Sequence, residues 1–210
     1  MIRLAFSVEG QTEEEFVKNI LDPHLQQYDI WSVPILLGRA RGRNQGGGNV
    51  SIERLVRDMV PLHYSYDFVT SLVDFYGFRD KGELDVNQLE ALIHERILEN
   101  YPSRGNVFIP YVQLHEFEGL LFSDIEKLID LVEISPDHAN ELRNITEEFP
   151  NPELINDNGE TAPSKRIYNF VPDYDKTAHG PLIAEMIGLD IIRERCPRFD
   201  CWVKRLEALQ

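Results

Sequence analysis

The chain has 210 residues, enough for one substantial domain or for one domain with a helical appendage. Its net charge of -15 argues against a protein that coats nucleic acid nonspecifically, but not against a nuclease, because a bound metal ion supplies local positive charge. The chain shows no signal-peptide segment and no apolar run near the roughly 20 residues of a membrane-spanning helix, so we expect a cytoplasmic protein with no membrane association.

The chain opens with a strand followed by a helix. Residues 2–8 form an apolar run that predicts a buried strand, and apolar residues recur at helical spacing from Thr12 onward. A second strand is predicted at 33–37. The glycine-rich segment 38–49 predicts a loop, because glycine is too permissive to hold regular structure.

A helix, a strand and another helix follow. Residues 50–60 have helical spacing, and Pro61 ends the pattern. The next strand covers 68–73 and ends at Asp74, and a further helix covers 86–97. This order continues the alternation of strands and helices.

The last predicted strand contains a proline. Residues 107–114 form an extended run, but Pro110 cannot donate a hydrogen bond to a neighbouring strand. We therefore expect this strand to lie at an edge of the sheet or to carry a bulge.

The alternation predicts an α/β fold with a mostly parallel central sheet and helices on both faces. Beyond Glu116 the character of the chain changes. Ser123 and Glu126 have capping-box spacing, and Ser135-Pro136 is typical of a helix start. We predict an α/β catalytic core at 1–122 and a mainly helical C-terminal extension at 123–210, packed on the core.

Acidic residues follow two of the predicted strands. Ligands bind beyond the carboxyl ends of parallel strands, and Glu9 and Asp74 lie at such ends. Carboxylates are the ligands that Mg²⁺ and Mn²⁺ prefer, so we predict a divalent-metal site. Gly10, Thr12 and Glu13 are predicted to support it. Two alternatives stay open: Thr12 and Glu13 only serve the helix start, and Asp74 only hydrogen-bonds the following turn.

A third acidic cluster is His115-Glu116-Phe117-Glu118. In an extended chain Glu116 and Glu118 point the same way and add metal ligands, with His115 in support; on a helix only one of them reaches the site. The alternative is a solvated helix start.

Basic residues complete the predicted site, because they neutralise phosphates. Three of the arginines lie on the glycine-rich loop, where a solvated loop is the alternative interpretation, and the other candidates lie in the C-terminal part. The candidates are Arg39, Arg41, Arg43, Lys165, Arg166 and Lys176.

These motifs resemble those of the Toprim-type metal nucleases and, over nearly the whole chain, those of a Toprim-related family of unknown function, number 4276. The resemblance rests on an ordered set of segments: Val8-Glu9-Gly10-Gln11-Thr12-Glu13, Asp74-Phe75-Tyr76-Gly77, His115-Glu116-Phe117-Glu118, Ala162-Pro163-Ser164-Lys165-Arg166-Ile167, and His179-Gly180-Pro181-Leu182-Ile183-Ala184 through Ile187-Gly188-Leu189. It implies a Toprim-like Rossmannoid fold.

The resemblance also implies roles for individual residues. Glu9 becomes the primary metal ligand or the acid/base, and Asp74 becomes a metal ligand, with Glu116 or Glu118 as an additional acid. Lys165 is similar to the lysine that overcoming-lysogenization nucleases place beside the scissile phosphate. One departure is Tyr76, which stands where Toprim proteins have a second aspartate.

The resulting hypothesis is a Mg²⁺- or Mn²⁺-dependent nuclease acting on DNA or RNA. By resemblance it is the effector of a bacterial anti-phage defence system, with an ATPase subunit as partner, and a homo-oligomer is possible. One alternative is a non-catalytic Toprim-like module that binds nucleic acid or an ATPase. Another is a metal-dependent phosphotransferase acting on a small nucleotide.

Overall fold

The computed structural model of the protein describes residues 1–38, 50–132, 134–155 and 161–210. The chain divides into two compact units. Unit 1 comprises residues 1–113 and 205–210, and unit 2 comprises residues 114–204. Unit 2 therefore begins before residue 123, where the sequence predicted the helical extension to start. No helix in the described residues is long and apolar enough to cross a membrane.

Unit 1 contains a parallel sheet. Its strands are β1 (Ile2–Val8), β2 (Ile30–Leu36), β3 (Phe68–Asp74), β4 (Phe108–Ile109) and β5 (Val112–Gln113). The strand order is β2-β1-β3-β4, and β5 also pairs with β3. Every pairing among these strands is parallel, which confirms the predicted α/β fold with its mostly parallel sheet.

The interior strands differ from the edge strand β2 in their burial. In β1 every residue from Leu4 to Val8 is buried, as expected for a strand that is covered on both faces. In β2, by contrast, Trp31 and Val33 are exposed while Ser32 is buried. This alternation explains why the apolar run at 33–37 predicted only part of β2.

The edge strand beside β3 is interrupted at Pro110 without a change of register. Val69 pairs with Phe108 and Val73 pairs with Val112, so the same offset holds on both sides. The Ser71 hydroxyl accepts a hydrogen bond from Tyr111 N at 3.0 Å and donates one to Tyr111 O at 2.9 Å. The predicted edge position is confirmed, and a side chain, rather than a bulge, accommodates the proline.

The helices of unit 1 are α1 (Gln11–Phe16), α2 (Asp22–Leu25), α3 (Ile52–Met59) and α4 (Val86–Asn100). A π-helical turn, Val17–Leu21, joins α1 to α2. This widening has a local cause, because Pro23 lacks the N–H that would bond four residues back and its ring crowds that carbonyl. The terminal segment is held to α2 by His24 Nε2, which lies 2.6 Å from Glu207 Oε1.

Unit 2 is helical in its regular structure. It contains α5 (Ile125–Leu131), α6 (Pro136–Glu148), α7 (Pro163–Phe170), α8 (Lys176–Ile187), α9 (Leu189–Arg195) and most of α10 (Pro197–Glu207). Ser135 caps α6 as predicted, through a bond from His138 N. The predicted cap at Ser123 is wrong: Asp124 caps α5, whereas Ser123 is buried beside Cys196 Sγ.

Candidate functional site

Glu9 and Asp74 lie at the point where the strand order of the sheet reverses. The chain passes outward from β1 to β2 and then crosses to β3 on the other side of β1. Val8 pairs with Leu72, so β1 and β3 end at the same edge of the sheet, with their backbones about 5 Å apart. Ligands of parallel α/β sheets bind at this kind of switch point, beyond the carboxyl ends of the strands.

The carboxylate of Glu9 lies against the turn that follows β3. A Cβ atom added to Gly77 would lie 2.8 Å from Glu9 Oε2, closer than real Cβ contacts allow. Gly77 ends the short 3₁₀ turn Phe75–Gly77, directly after Asp74. The structure therefore brings Glu9 to the segment that carries Asp74, and the lack of a side chain at Gly77 permits that approach.

Glu13 stabilises the turn that contains Glu9. Gly10 N donates to Glu13 Oε2 at 2.9 Å, and Glu13 is only 3% exposed. The helix begins at Gln11, so Thr12 is a buried residue of its first turn and not the residue that precedes it. Because Glu13 reaches back to Gly10, it takes the helix-start role that the sequence left open.

Asp74 is paired in the sheet with a buried amide side chain. Asp74 is 8% exposed, and its register partner on β5 is Gln113, which is fully buried. The Tyr111 hydroxyl donates to Gln113 Oε1 at 2.9 Å. Gln113 was missed in the sequence, although it lies at the end of a predicted strand, the same signal that selected Asp74.

Near this edge unit 1 also carries a cation that the sequence analysis missed. Lys81 Nζ lies 4.9 Å from the centre of the Phe75 ring and 5.8 Å from that of Tyr76. It also donates to Phe78 O at 3.2 Å. Tyr76, which departs from the Toprim pattern, therefore contributes a ring face to a lysine and no carboxylate.

The third acidic cluster lies in unit 2. There Glu116 makes a hydrogen bond to the backbone, and His115 is partly buried. Glu116 Oε2 accepts from Ser164 N at 3.0 Å, so it stabilises the start of α7. His115 adopts a left-handed backbone conformation with φ of 65°. Burial lowers the pKa of His115, and the charge of Glu116 opposes this shift only in part.

Glu118 is the partner of a lysine that was predicted to bind phosphate. Its side chain is fully buried, and Glu118 Oε2 lies 3.0 Å from Lys176 Nζ, whose side chain is 34% exposed. Tyr174 lies nearby, and burial together with the charge of Glu118 raises its pKa. Glu118 was predicted to bind a metal ion, but in the structure it forms an ion pair with Lys176.

Two of the remaining basic candidates are neighbours on α7. Lys165 is exposed on the first turn of α7. Arg166 donates to Thr161 O at 2.8 Å and lies 5.2 Å from the centre of the Phe149 ring. The predictions for the loop arginines fall outside the described residues, so they stay predictions: Arg39, Arg41 and Arg43.

In the described ranges, no three His, Cys, Asp or Glu side chains form a group that could hold a metal ion. Two carboxylates still suit Mg²⁺, which is bound in proteins through one or two carboxylates together with waters and substrate phosphates. A groove of about 910 Å³ in unit 1 does not include Glu9 or Asp74. The charged residues that line this groove are Glu53, Asp80, Glu99, Arg57 and Arg96. Acids outnumber arginines among them, which disfavours the binding of a polyanion in the groove.

Comparisons with known proteins give a family and two similar structures. The structures are both of the C-terminal region of the OLD protein of Xanthomonas campestris pv. campestris. The one phased with mercury has 15% identity and a TM-score of 0.47, covering 97% of this chain and 94% of that chain. The one phased with iodine has 15% identity and a TM-score of 0.38, with 96% of each chain covered. No curated protein matches.

The family model spans nearly the whole chain. The model described as "Domain of unknown function (DUF4276)" matches residues 8–207. That range contains Glu9 and Asp74 in unit 1, and Glu118 and Lys176 in unit 2. It was also the family that the sequence motifs resembled. The chain therefore belongs to the DUF4276 family.

Proposed function

We propose that this protein is a metal-dependent nuclease that hydrolyses phosphodiester bonds of DNA or RNA. The observation that carries the proposal is the position of Glu9 and Asp74 at the two strand ends that flank the switch point of the sheet. The resemblance of Val8-Glu9-Gly10 to the Toprim-type nucleases supports it. In this proposal the fold is a Toprim-like variant of the parallel α/β sheet.

The two carboxylates suit a hard divalent cation. Glu9 and Asp74 offer only oxygen donors, and clustered carboxylates are stabilised when a cation offsets their repulsion. Mg²⁺ or Mn²⁺, when bound there, supplies water activation and neutralises charge on the phosphate. Glu13 fixes the turn after β1, Gly77 leaves room for the Glu9 carboxylate, and Lys81 adds positive charge close to the edge.

Glu116 and Glu118 are left out of the proposed ligand set. Glu116 is engaged with the start of α7, and Glu118 is engaged with Lys176. Lys165 and Arg166 stay predicted phosphate contacts, whereas Lys176 is assigned to Glu118. The resemblance further supports an ATPase partner and a role as the effector of a bacterial anti-phage defence system.

A cleavage assay tests the proposal. The protein is incubated with DNA and with RNA in Mn²⁺, with and without an ATPase encoded beside it. We expect cleavage that is lost in Glu9→Gln and in Asp74→Asn. Glu15→Gln is the matched control, because Glu15 is an exposed acid of the same segment that pairs with Lys18 at 2.9 Å. Cleavage by Glu9→Gln at the wild-type rate would contradict the proposal.

The second candidate is a non-catalytic module that binds nucleic acid or an ATPase. It is favoured by Tyr76, which replaces an expected carboxylate, and by the lack of a three-residue metal group in the described part of the chain. Calorimetry separates the two candidates. The nuclease requires Mn²⁺ binding that depends on Glu9, whereas the module requires none.

A further inference from the structure

We propose that Tyr111 and Gln113 form a positioning pair for Asp74, in which the Gln113 amide donates a hydrogen bond to the Asp74 carboxylate. The two residues act through Asp74 and are not themselves metal ligands. The inference rests on the proposed function, because Asp74 is there a ligand of the metal ion. It assigns a role to the edge strand β5, which the proposed function leaves unused.

The register of the sheet places the two side chains next to each other. Asp74 and Gln113 are partners in the parallel pairing of β3 with β5, so their side chains lie on the same face of the sheet. Neighbouring strands lie about 5 Å apart, which is within reach of an amide and a carboxylate. Both residues are buried, Gln113 completely.

The hydrogen bond from Tyr111 sets the orientation of the amide. The Tyr111 hydroxyl donates to Gln113 Oε1, so the oxygen side of the amide is directed toward the tyrosine. The NH₂ group, which has two donors, is therefore directed away from it. A buried amide needs acceptors for those donors, and the carboxylate of Asp74 is the charged acceptor on the adjacent strand.

The backbone of the edge strand is held by side chains at Tyr111 and at Val112. The Ser71 hydroxyl binds both N and O of Tyr111, and Val112 N donates to Glu90 Oε1 of α4 at 2.7 Å. Tyr111 is 3% exposed. The interruption at Pro110 therefore leaves β5 fixed by side chains from β3 and from α4. A rigid support of this kind is what the orientation of a ligand carboxylate requires.

The experiment measures Mn²⁺ affinity by calorimetry in Tyr111→Phe and Gln113→Leu. Loss of such outer contacts typically weakens metal binding by about 10-fold to 100-fold, and we expect a weakening in that range for both variants. Thr70→Val is the matched control, because its hydroxyl also joins β3 to the edge strand, with a bond to Ile109 O at 2.6 Å. Thr70→Val should retain wild-type affinity.

Gln113→Glu gives a second readout that a structural role alone would not move. It keeps the shape and the acceptor for Tyr111 but places a negative charge beside Asp74, which disfavours the ionised form of Asp74. The lower limb of the pH profile of Mn²⁺ binding should therefore shift to higher pH. An unshifted profile, together with Tyr111→Phe affinity equal to that of Thr70→Val, would overturn the positioning pair.

Asp74→Asn distinguishes a failure of the positioning pair from a failure of the proposed metal site. If Asp74→Asn loses Mn²⁺ binding while Tyr111→Phe and Gln113→Leu keep it, only the positioning pair is wrong. If Asp74→Asn and Glu9→Gln both bind Mn²⁺ as the wild type does, the proposed function fails and the positioning pair fails with it.

Discussion

Two acidic clusters of this protein both follow predicted strands in the sequence, but the structure gives them different surroundings. In unit 2, Glu118 is fully buried against Lys176, and Glu116 holds a backbone N–H of α7. In unit 1, Glu9 lies against the backbone at Gly77, and Asp74 is the register partner of Gln113. The difference is that the buried acid of unit 2 lies 3.0 Å from a lysine in its own unit, whereas Glu9 and Asp74 lie at the ends of neighbouring strands.

This comparison reduces the set of proposed metal ligands to Glu9 and Asp74. A carboxylate that is paired with a lysine gains little from a metal ion, because its charge is already balanced. Glu9 and Asp74 lie at neighbouring strand ends, and a cation would offset the repulsion between their carboxylates. Glu9 and Asp74 are therefore the acids that we propose for catalysis, and Glu118 and Lys176 are the pair that we expect to stabilise unit 2.

The largest expected effect is on stability, from Lys176→Met. This change leaves the fully buried carboxylate of Glu118 without its lysine, and we expect a loss of roughly 3 kcal/mol in the free energy of unfolding. Urea denaturation measures it. Lys165→Met is the matched control, because Lys165 is exposed on α7, and it should cost less than about 0.5 kcal/mol.

The double variant Glu118→Gln/Lys176→Met sharpens this test. It removes both charges, so it should recover part of the stability that Lys176→Met loses. If Lys176→Met proves as stable as Lys165→Met, the structural role of the pair is wrong, and Glu118 returns to the list of candidate ligands.

The next effect is on metal affinity, from Gly77→Ala. The new methyl would meet Glu9 Oε2 at 2.8 Å, so the carboxylate must move. We expect Mn²⁺ affinity to fall by about 10-fold, since ligand geometry must hold within a fraction of an ångström. Gly77 has no left-handed backbone, so backbone strain adds nothing. Calorimetry checks it, and unchanged affinity would separate Glu9 from the metal.

Gly119→Ala is the control for Gly77→Ala. A methyl at Gly119 would meet Pro152 O at 3.6 Å, which is an ordinary contact. Because Gly119 belongs to unit 2, its substitution should leave Mn²⁺ affinity at the wild-type level. A loss equal to that of Gly77→Ala would mean that the assay reports general destabilisation.

The smallest expected effect concerns the pH dependence of stability, through a third buried acid of unit 2. The carboxylate of Glu153 accepts from Arg198 N at 2.8 Å and from Phe199 N at 3.0 Å, yet burial raises the pKa of Glu153. The folded state therefore holds this proton more tightly than the unfolded state. Stability should fall as pH rises from the ordinary glutamate pKa through the raised pKa of the folded state.

Glu153→Gln removes this dependence. Urea denaturation of the two proteins between about pH 4 and pH 7 should show a flatter stability curve for Glu153→Gln than for the wild type. Parallel curves would mean that Glu153 titrates alike in the folded and unfolded states.

Local patterns predicted most of the sheet and several of its helices. The buried run at β1 and the run that ends at Asp74 predicted both interior strands, because a strand covered on both faces is apolar throughout. The edge strand β2 was only partly predicted, since one face is exposed and Trp31 and Val33 alternate with buried residues. Cap positions were less predictable: Gly10, rather than Thr12, precedes α1, because Glu13 replaces a side-chain cap.

The candidate site was predictable only where it depends on strand ends. Glu9 and Asp74 follow apolar strands, so position alone selected them. The pairing of Glu118 with Lys176 joins residues far apart in the chain, and no local pattern reveals it. Gly77 was quoted in a motif, but its role depends on the approach of a carboxylate from another strand.

The metal site is tested most directly by calorimetry of Mn²⁺ binding to the wild-type chain, Glu9→Gln and Asp74→Asn. We expect the wild type to bind and each variant to bind at least about 100-fold more weakly, because each would lose a ligand rather than an outer contact. Wild-type affinity in both variants, or a wild type that binds no Mn²⁺, would contradict a metal site between β1 and β3.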